Sequence, residues 1–171
     1  DLVSLLLLLQ APDIKLLGVG VIDADCYVDP AVMTARKIID RFNLRGDDLE
    51  VAKSDSRAHH QFPSNWRLSA FSFNDLPILN EHGKVETKQA AKPAHLDMID
   101  KIKGSDAPVT LVMTGPLTDL ARALEIDPSI QDNIEKLYWM GGCLDGHGNT
   151  NEPGFDGTAE WNAFWDPEAV K

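Results

Sequence analysis

Short apolar runs, each followed by a polar or glycine turn and then by a helical pattern, are the feature of this sequence that most restricts its fold. The runs at 14–22 (IKLLGVGVI) and 108–113 (PVTLVM) have the length of single strands and no alternation of polar and apolar residues. A strand that is apolar along its whole length is typical of a parallel sheet covered on both faces. The sequence therefore predicts an α/β fold, with a mostly parallel sheet and helices on both faces, in one domain over residues 1–171.

The other segments of the chain fit the same alternation. Residues 2–10 predict an apolar helix, and Asp29 and Pro30 predict the N-cap and first residue of the next helix. Two further strands and two further helices are predicted, the strands at 49–52 and 137–140 and the helices over 93–102 and from the turn at 114 to 124. Residues 54–92 are predicted as a polar, irregular segment. Asp166 and Pro167 are predicted to cap a new helix.

The charge balance limits the partners of the chain. Its 171 residues are 43% apolar and 25% charged, with a formal net charge of −11, which is typical of one globular domain. Such an acidic protein offers no basic patch to nucleic acid or to an anionic membrane. The leucine run at 5–9 is too short to cross a bilayer. We therefore expect neither nucleic acid nor a membrane as a partner.

The two cysteines, Cys26 and Cys143, each follow a predicted strand and lie far apart in the sequence. We expect two buried thiols in a reducing compartment, with a disulfide as the alternative. No cysteine and histidine spacing resembles a zinc site, and His59 and His60 are predicted as a polar loop pair. Because no targeting signal is visible, we expect a cytoplasmic protein.

The segment 141–167 (GGCLDGHGNTNEPGFDGTAEWNAFWDP) holds the densest set of polar side chains at a strand end. It places Asn149, Glu160 and Asn162 in a glycine-rich loop after the strand predicted at 137–140. Amide and carboxylate groups supply the donors and acceptors that vicinal hydroxyls of a sugar require. An ordinary solvated connection is the alternative interpretation. In parallel sheets, ligands bind beyond the carboxyl ends of the strands, where the polar turns after 22, 113 and 140 are predicted to meet.

Five motifs in order make the chain similar to the nucleoside hydrolase family, the inosine-uridine preferring superfamily. They are DADCYVDP (23–30), FPSNWR (62–67), MTGPLTDLA (113–121), MGGCLDGHGN (140–149) and DGTAEWNAFWDP (156–167). TAEWN, DADC and FPSNWR resemble most the purine-preferring inosine-adenosine-guanosine branch. The resemblance implies a Rossmann-like nucleoside hydrolase fold and hydrolysis of the N-glycosidic bond of purine ribonucleosides. It also implies a calcium ion in an all-oxygen site that activates the attacking water.

The resemblance also implies roles for individual residues. Asp1 and the backbone carbonyl of Thr114 match calcium ligands of the family. Seven residues match substrate-binding positions, at the ribose or at the base: Asp25, Trp66, Met140, Asn149, Glu160, Trp161 and Asn162. Trp66 is the expected stacking platform for the purine, with Trp161 in the same pocket. Trp139 and Trp165 are predicted to serve packing.

The resemblance further implies that the first strand, the general-base aspartate and the C-terminal part of the family's domain lie outside this sequence, so that no catalytic residue is assigned within it. A homodimer that acts on inosine, adenosine or guanosine is expected. Two other hypotheses remain at this point. One is a nucleoside-binding remnant without a general base, and the other is an α/β scaffold without a ligand.

Overall fold

The five strands of the protein are parallel and form two sheets. In the computed structural model, which describes residues 1–171, β1 (Val19–Val21) pairs with β2 (Glu50–Lys53), and β2 pairs with β3 (Lys88–Gln89). The second sheet consists of β4 (Val109–Met113) and β5 (Ile134–Trp139). The predicted α/β fold with parallel strands is confirmed. The sequence predicts one sheet, whereas the structure has two, one of three strands and one of two.

Eight helices and one 3₁₀ helix connect and cover the strands. They are α1 (Leu2–Gln10), α2 (Val28–Phe42), α3 (Ser64–Arg67), α4 (Ser69–Asn74), α5 (Pro77–Asn80), α6 (Ala94–Lys103), α7 (Thr118–Ile126), the 3₁₀ helix (Pro128–Asn133) and α8 (Trp161–Trp165). In α2 the buried residues Val32, Ala35, Ile38 and Ile39 recur every three or four positions, so that one face of the helix packs on the core.

Several predicted boundaries differ from the structure. The run at 14–22 forms a strand only at Val19–Val21. The N-cap of α2 is Tyr27, whereas the Asp29 carboxylate lies 2.5 Å from Lys53 Nζ, which holds the first turn of α2 against β2. Residues 54–92 are not irregular, since they contain α3, α4, α5 and β3.

The end of the chain also differs from the prediction. The last motif forms the five-residue helix α8, and Asp166 is the C-cap of this helix rather than the N-cap of a new one. The Asp166 carboxylate instead accepts hydrogen bonds from Thr118 Oγ1 at 2.7 Å and from the Ala169 backbone N–H at 3.2 Å.

Four separate apolar clusters form the core, and the smallest consists of Ala52, Ala90 and Ala94. One lies among α1, α2 and β2 around Leu9, Ile38 and Val51. Another joins α6 to α7 and the 3₁₀ helix through side chains such as Ile102 and Ile130. The third is mostly aromatic and joins Ala24 and Phe62 to Trp161 and Trp165 of α8.

Both cysteines are free thiols. Cys26 is partly buried, and burial is the main reason why the pKa of its thiol rises to about 11. Cys143 is exposed in the glycine-rich loop, so the prediction of two buried thiols is wrong for Cys143. No helix of the structure is both long enough and apolar enough to cross a membrane.

Candidate functional site

Asn162 joins the ends of the two strands of the second sheet. Its side-chain Nδ2 donates hydrogen bonds to the carbonyl of Thr114 at 3.2 Å and to the carbonyl of Met140 at 2.9 Å. Thr114 directly follows β4 and Met140 directly follows β5. Asn162 is buried, and its Oδ1 makes no hydrogen bond within the chain. The amide therefore fixes two strand ends with one atom and leaves an acceptor unused.

Glu160 caps α8 with one carboxylate oxygen. Its Oε2 accepts hydrogen bonds from the backbone N–H groups of Asn162 at 3.0 Å and Ala163 at 3.1 Å, and from that of Gly142 at 3.0 Å. A helix of five residues is not stable by itself, and its first N–H groups need such an acceptor. The other oxygen, Oε1, has no partner within the chain.

Asn149 is held against the same helix by its own side chain. Its Oδ1 accepts a hydrogen bond from the backbone N–H of Trp161 at 2.9 Å, and its backbone N–H donates to the carbonyl of Ala159 at 2.8 Å. The chain passes Ala159 so closely here that a Cβ on Gly148 would lie 1.9 Å from the Ala159 carbonyl oxygen. Glycine is therefore required before Asn149. The Nδ2 donor of Asn149 makes no hydrogen bond within the chain.

These three side chains share one property. Each uses one polar atom to fix the loop around α8 and keeps a second polar atom without a protein partner: Asn149 Nδ2, Glu160 Oε1 and Asn162 Oδ1. One donor and two acceptors around adjacent strand ends are the groups that can bind neighbouring hydroxyls.

Aromatic side chains pack beside this polar group. Trp161 is buried and stacks on Phe62 with 4.9 Å between ring centroids. Trp66 meets Trp161 edge to face at 5.6 Å and keeps 41% of its surface exposed. The indole Nε1 of Trp161 is buried without a hydrogen-bond partner. An exposed indole can stack on a planar ring.

The remaining predicted residues lie less close to this arrangement. Met140 directly follows β5 and is 54% exposed, and its carbonyl accepts a hydrogen bond from Asn162. Asp25 is exposed in the loop after β1 and makes no hydrogen bond. Asp1 is exposed at the start of α1, and no hydrogen bond joins its side chain to the rest of the chain.

The predicted metal ligands do not form a complete metal site. The structure contains no group of three or more His, Cys, Asp or Glu side chains that could hold a metal ion. The carboxylate of Asp1 and the carbonyl of Thr114 offer at most three oxygens, whereas calcium takes six to eight. The Thr114 carbonyl already accepts a hydrogen bond from Asn162. Residues 1–171 alone therefore do not fit a calcium ion.

A buried polar network that the sequence analysis did not identify lies between β2 and α7. The Asp119 carboxylate accepts hydrogen bonds from Ser54 Oγ at 2.9 Å and Ser56 Oγ at 2.7 Å. Burial raises the pKa of Asp119, and the two serine hydrogen bonds oppose that rise. Arg122 donates to Ser56 Oγ at 2.7 Å and pairs with Asp55. The network connects the first sheet to the helix that follows Thr114.

Two other residues of the aromatic region were also missed. Phe62 and Arg67 belong to the FPSNWR motif, but their spacing in the sequence gave no indication that they contact Trp161 and Asp23, respectively. A cavity of about 480 Å³ lies beside them, lined by Asp23, Tyr27, Arg67 and Phe71 among others.

A known protein family matches the whole chain. The family model described as inosine-uridine preferring nucleoside hydrolase matches residues 1–171. The chain is similar to a crystal structure of an inosine-uridine preferring nucleoside hydrolase from Bacillus anthracis, with 56% identity and a TM-score of 0.95 over 99% of this chain and 56% of that chain.

Other relatives carry names that refer to different substrates. A purine-preferring ribonucleoside hydrolase from Gardnerella vaginalis is 29% identical with a TM-score of 0.70, over 98% of this chain and 51% of that chain. The pyrimidine-specific ribonucleoside hydrolase RihA of Shewanella sp. (strain MR-7) is 31% identical over 180 residues, which are 99% of this chain and 50% of RihA. The chain thus spans about half the length of these relatives. Since the family model covers every residue, the chain belongs to the inosine-uridine preferring nucleoside hydrolase family.

Proposed function

We propose that the protein hydrolyses the N-glycosidic bond of ribonucleosides to ribose and a free base, with purine ribonucleosides such as inosine, adenosine and guanosine as substrates. The observation that carries this proposal is the set of three unused polar atoms, on Asn149, Glu160 and Asn162, beside an exposed tryptophan. Family membership makes a nucleoside the natural ligand for that set.

In this proposal the residues of the chain bind and orient the substrate. Glu160 Oε1 and Asn162 Oδ1 accept hydrogen bonds from ribose hydroxyls, and Asn149 Nδ2 donates one. Trp66 stacks on the base, and Trp161 closes the inner side of the pocket. Asp25 and Met140 flank the base and the sugar. The reaction passes through an oxocarbenium-like state, so these contacts act by holding the ribose in the reactive geometry. No residue among 1–171 is assigned as the general base.

Purines are the proposed substrates because of the aromatic group. A bicyclic base presents more surface to the indole of Trp66 than a single pyrimidine ring does, and stacking strength grows with that contact area. The names of the relatives cover purines and pyrimidines, so the preference has to be measured directly.

The test is a comparison of five nucleosides with the purified protein. Inosine, adenosine, guanosine, uridine and cytidine are incubated with it, and free base and reducing sugar are quantified. We expect release of base from all purine nucleosides, with kcat/KM higher for inosine than for uridine. Higher kcat/KM for uridine would contradict the purine assignment, and release of no base would contradict the reaction.

A nucleoside-binding protein without turnover is the second candidate. It is favoured by the absence, in residues 1–171, of any group of three side chains suited to a metal ion. Calorimetric titration with inosine separates the two candidates, because binding without release of hypoxanthine supports the second one.

We also propose that the protein uses calcium, with Asp1 and the carbonyl of Thr114 as two of the oxygen ligands and the others supplied outside residues 1–171. When bound, such an ion supplies a water of lowered pKa. Titration with calcium after chelation should restore activity and raise the melting temperature, whereas Asp1→Ala should shift the calcium requirement upward. Full activity in excess chelator would exclude calcium.

We also propose that the protein forms a homodimer and that it is located in the cytoplasm. Sedimentation of the purified protein tests the dimer, since a single species at the monomer mass would contradict it. Fractionation of the source cells tests the location.

A further inference from the structure

The helix that carries Trp66 cannot hold its own position. α3 has four residues, no side-chain cap and no buried residue, so its own hydrogen bonds do not fix it. Trp66 nevertheless meets Trp161 at a defined centroid distance of 5.6 Å and Phe62 at 6.3 Å. Contacts made by the neighbouring residues must therefore place the indole.

Arg67, the last residue of α3, makes those contacts. Its Nη2 lies 2.5 Å from Oδ1 of Asp23, and its Nε donates to the carbonyl of Cys26 at 3.5 Å. The guanidinium also lies 4.3 Å from the ring centroid of Tyr27. The side chains of Arg67 and Asp23 are only 13% and 21% exposed. Three contacts from one planar group to the loop 23–27 fix the helix in position and in rotation.

Asp23 is linked to the other aromatic helix as well. Its backbone carbonyl accepts hydrogen bonds from Nε1 of Trp165, in α8, at 3.2 Å and from Nε2 of Gln61 at 3.0 Å. Trp165 Nε1 also lies 3.1 Å from Gln61 Oε1. Since Trp161 is the first residue of α8, both tryptophans of the pocket are tied to the same residue of the loop after β1.

We propose that Asp23 and Arg67 are positioning residues that set the placement of Trp66 relative to Trp161, and thereby the preference for a purine over a pyrimidine base. The inference rests on the proposed function, because it concerns the base-binding side of the same pocket. In this proposal the two side chains act through Trp66 and not by contact with the substrate. A bicyclic base covers both rings of an indole and depends on the orientation of Trp66 more than a single ring does.

The test compares substitutions of the pair with a matched control. Arg67→Met and Asp23→Asn each break the pair, and the double variant removes both charges. The control is Arg41→Met in α2, which breaks an exposed pair between Arg41 and Glu81. Kinetic constants are measured for inosine and uridine.

For Arg67→Met and Asp23→Asn we expect KM for inosine to rise about tenfold with a smaller change in kcat, and KM for uridine to change about twofold or less. Arg67→Lys, which keeps the charge but not the planar fork, should fall between wild type and Arg67→Met. Arg41→Met should match the wild type. Equal losses on inosine and uridine, or none, would overturn the proposal.

The double variant separates positioning from stability. If the pair only stabilised the fold, removal of both charges would restore the melting temperature and KM together. We expect the melting temperature to recover while KM for inosine stays high. Recovery of both would overturn the proposal.

A binding measurement that does not depend on hydrolysis tests this inference separately from the proposed reaction. Hypoxanthine that stacks on Trp66 quenches tryptophan emission, so its apparent Kd is obtained by titration. Arg67→Met should weaken this binding about tenfold, and Trp66→Ala should abolish the quenching that comes from Trp66. Unchanged hypoxanthine binding would overturn the inference even if the protein hydrolyses nucleosides. A wild type that binds hypoxanthine but releases no base would contradict only the reaction.

Discussion

Asn162 shows how a single buried amide can organise a site. One Nδ2 group donates to the carbonyls of Thr114 and Met140, which follow different strands. Neither carbonyl accepts another hydrogen bond from a side chain of the chain. Both would therefore lose their donor if the amide were replaced.

Asn162→Asp should destabilise the protein by about 3 kcal/mol, because a carboxylate has no donor and would face two carbonyl oxygens in a buried position. Urea unfolding at pH 7 measures the loss. Asn151→Asp is the control, since Asn151 is exposed and its side chain makes no hydrogen bond, and it should change stability by about 0.5 kcal/mol or less. Equal effects of the two substitutions would contradict this role of Asn162.

The buried carboxylate of Asp119 gives the protein a defined pH dependence. Burial raises its pKa in the folded state above the ordinary value of 3.8. Its contribution to stability is therefore fully present below pH 3.8 and is lost as the pH rises through the raised pKa of the folded state.

Asp119→Asn keeps an acceptor for Ser54 and Ser56 but cannot ionise. We expect the variant to gain stability relative to wild type as the pH rises from 4 to 7, which urea unfolding at several pH values measures. Asp127→Asn is the control of opposite sign, because a hydrogen bond from Lys103 lowers the pKa of Asp127. A difference between wild type and Asp119→Asn that does not vary with pH would contradict the raised pKa.

The residue types of the site were predictable from the sequence. Which atom of each side chain fixes the loop, and which atom is left without a partner, was not predictable. Asn149, Glu160 and Asn162 stand out by type and by their place after a predicted strand. Their second role, as acceptors and donors for the loop around α8, depends on contacts across 12 to 48 sequence positions. The Asp119 network was missed because Ser54, Ser56 and Asp119 have no regular spacing. The assignment of the predicted residues to a ligand stays a prediction.

At the scale of elements, α8 depends on its cap more than on its sequence. The motif AEWNAFWDP was predicted as part of a loop that ends at a new helix, but the helix lies within it, at Trp161–Trp165. The error has a physical reason. Five residues give too short a pattern to recognise, and tertiary contacts of Glu160 rather than helix propensity form the helix.

Glu160→Ala should cost about 1 kcal/mol of stability and increase hydrogen exchange at the amides of Gly142, Asn162 and Ala163. Glu160→Gln keeps an acceptor and should retain most of the protection. Hydrogen exchange followed by NMR resolves the three amides. Protection that persists in Glu160→Ala would show that the cap does not hold the loop.

β4 was predicted well because a short, continuous apolar run leaves a clear signal, although Thr110 and Val112 are exposed in the structure. β4 differs from its predicted range by one residue, and the helix α6 is displaced by one residue from 93–102. The first strand is shorter than predicted, since Leu16 packs on the core without belonging to the strand and Ile14 is exposed. An apolar run in a sequence predicts a buried segment, but it does not predict which of its residues form hydrogen bonds to a neighbouring strand.

At the scale of the whole molecule, Trp165 connects the two ends of the sequence. It is fully buried, and its indole N–H lies within hydrogen-bond distance of the Asp23 carbonyl, 142 positions earlier. The predicted packing role of Trp165 agrees with this burial. The contact joins the loop after β1 to α8, so the aromatic cluster closes only when both are in place.

Trp165→Ala should lower the free energy of unfolding by about 3–5 kcal/mol, because it leaves a large cavity in the aromatic cluster. Trp66→Ala is the matched substitution at an exposed position and should lower it by about 1 kcal/mol or less. Thermal unfolding monitored by circular dichroism compares them. A smaller loss for Trp165→Ala than for Trp66→Ala would mean that the cluster does not hold the two ends together.

The contrast between the two thiols offers a way to observe the loop beside the site. Only thiolate reacts with maleimide, and a pKa of about 11 leaves Cys26 almost entirely protonated near neutral pH, whereas Cys143 is exposed. A fluorescent maleimide should therefore attach to Cys143 alone, without any engineered cysteine. Because Cys143 directly follows Gly142, whose N–H binds Glu160, the dye would report in real time when a bound molecule changes the loop.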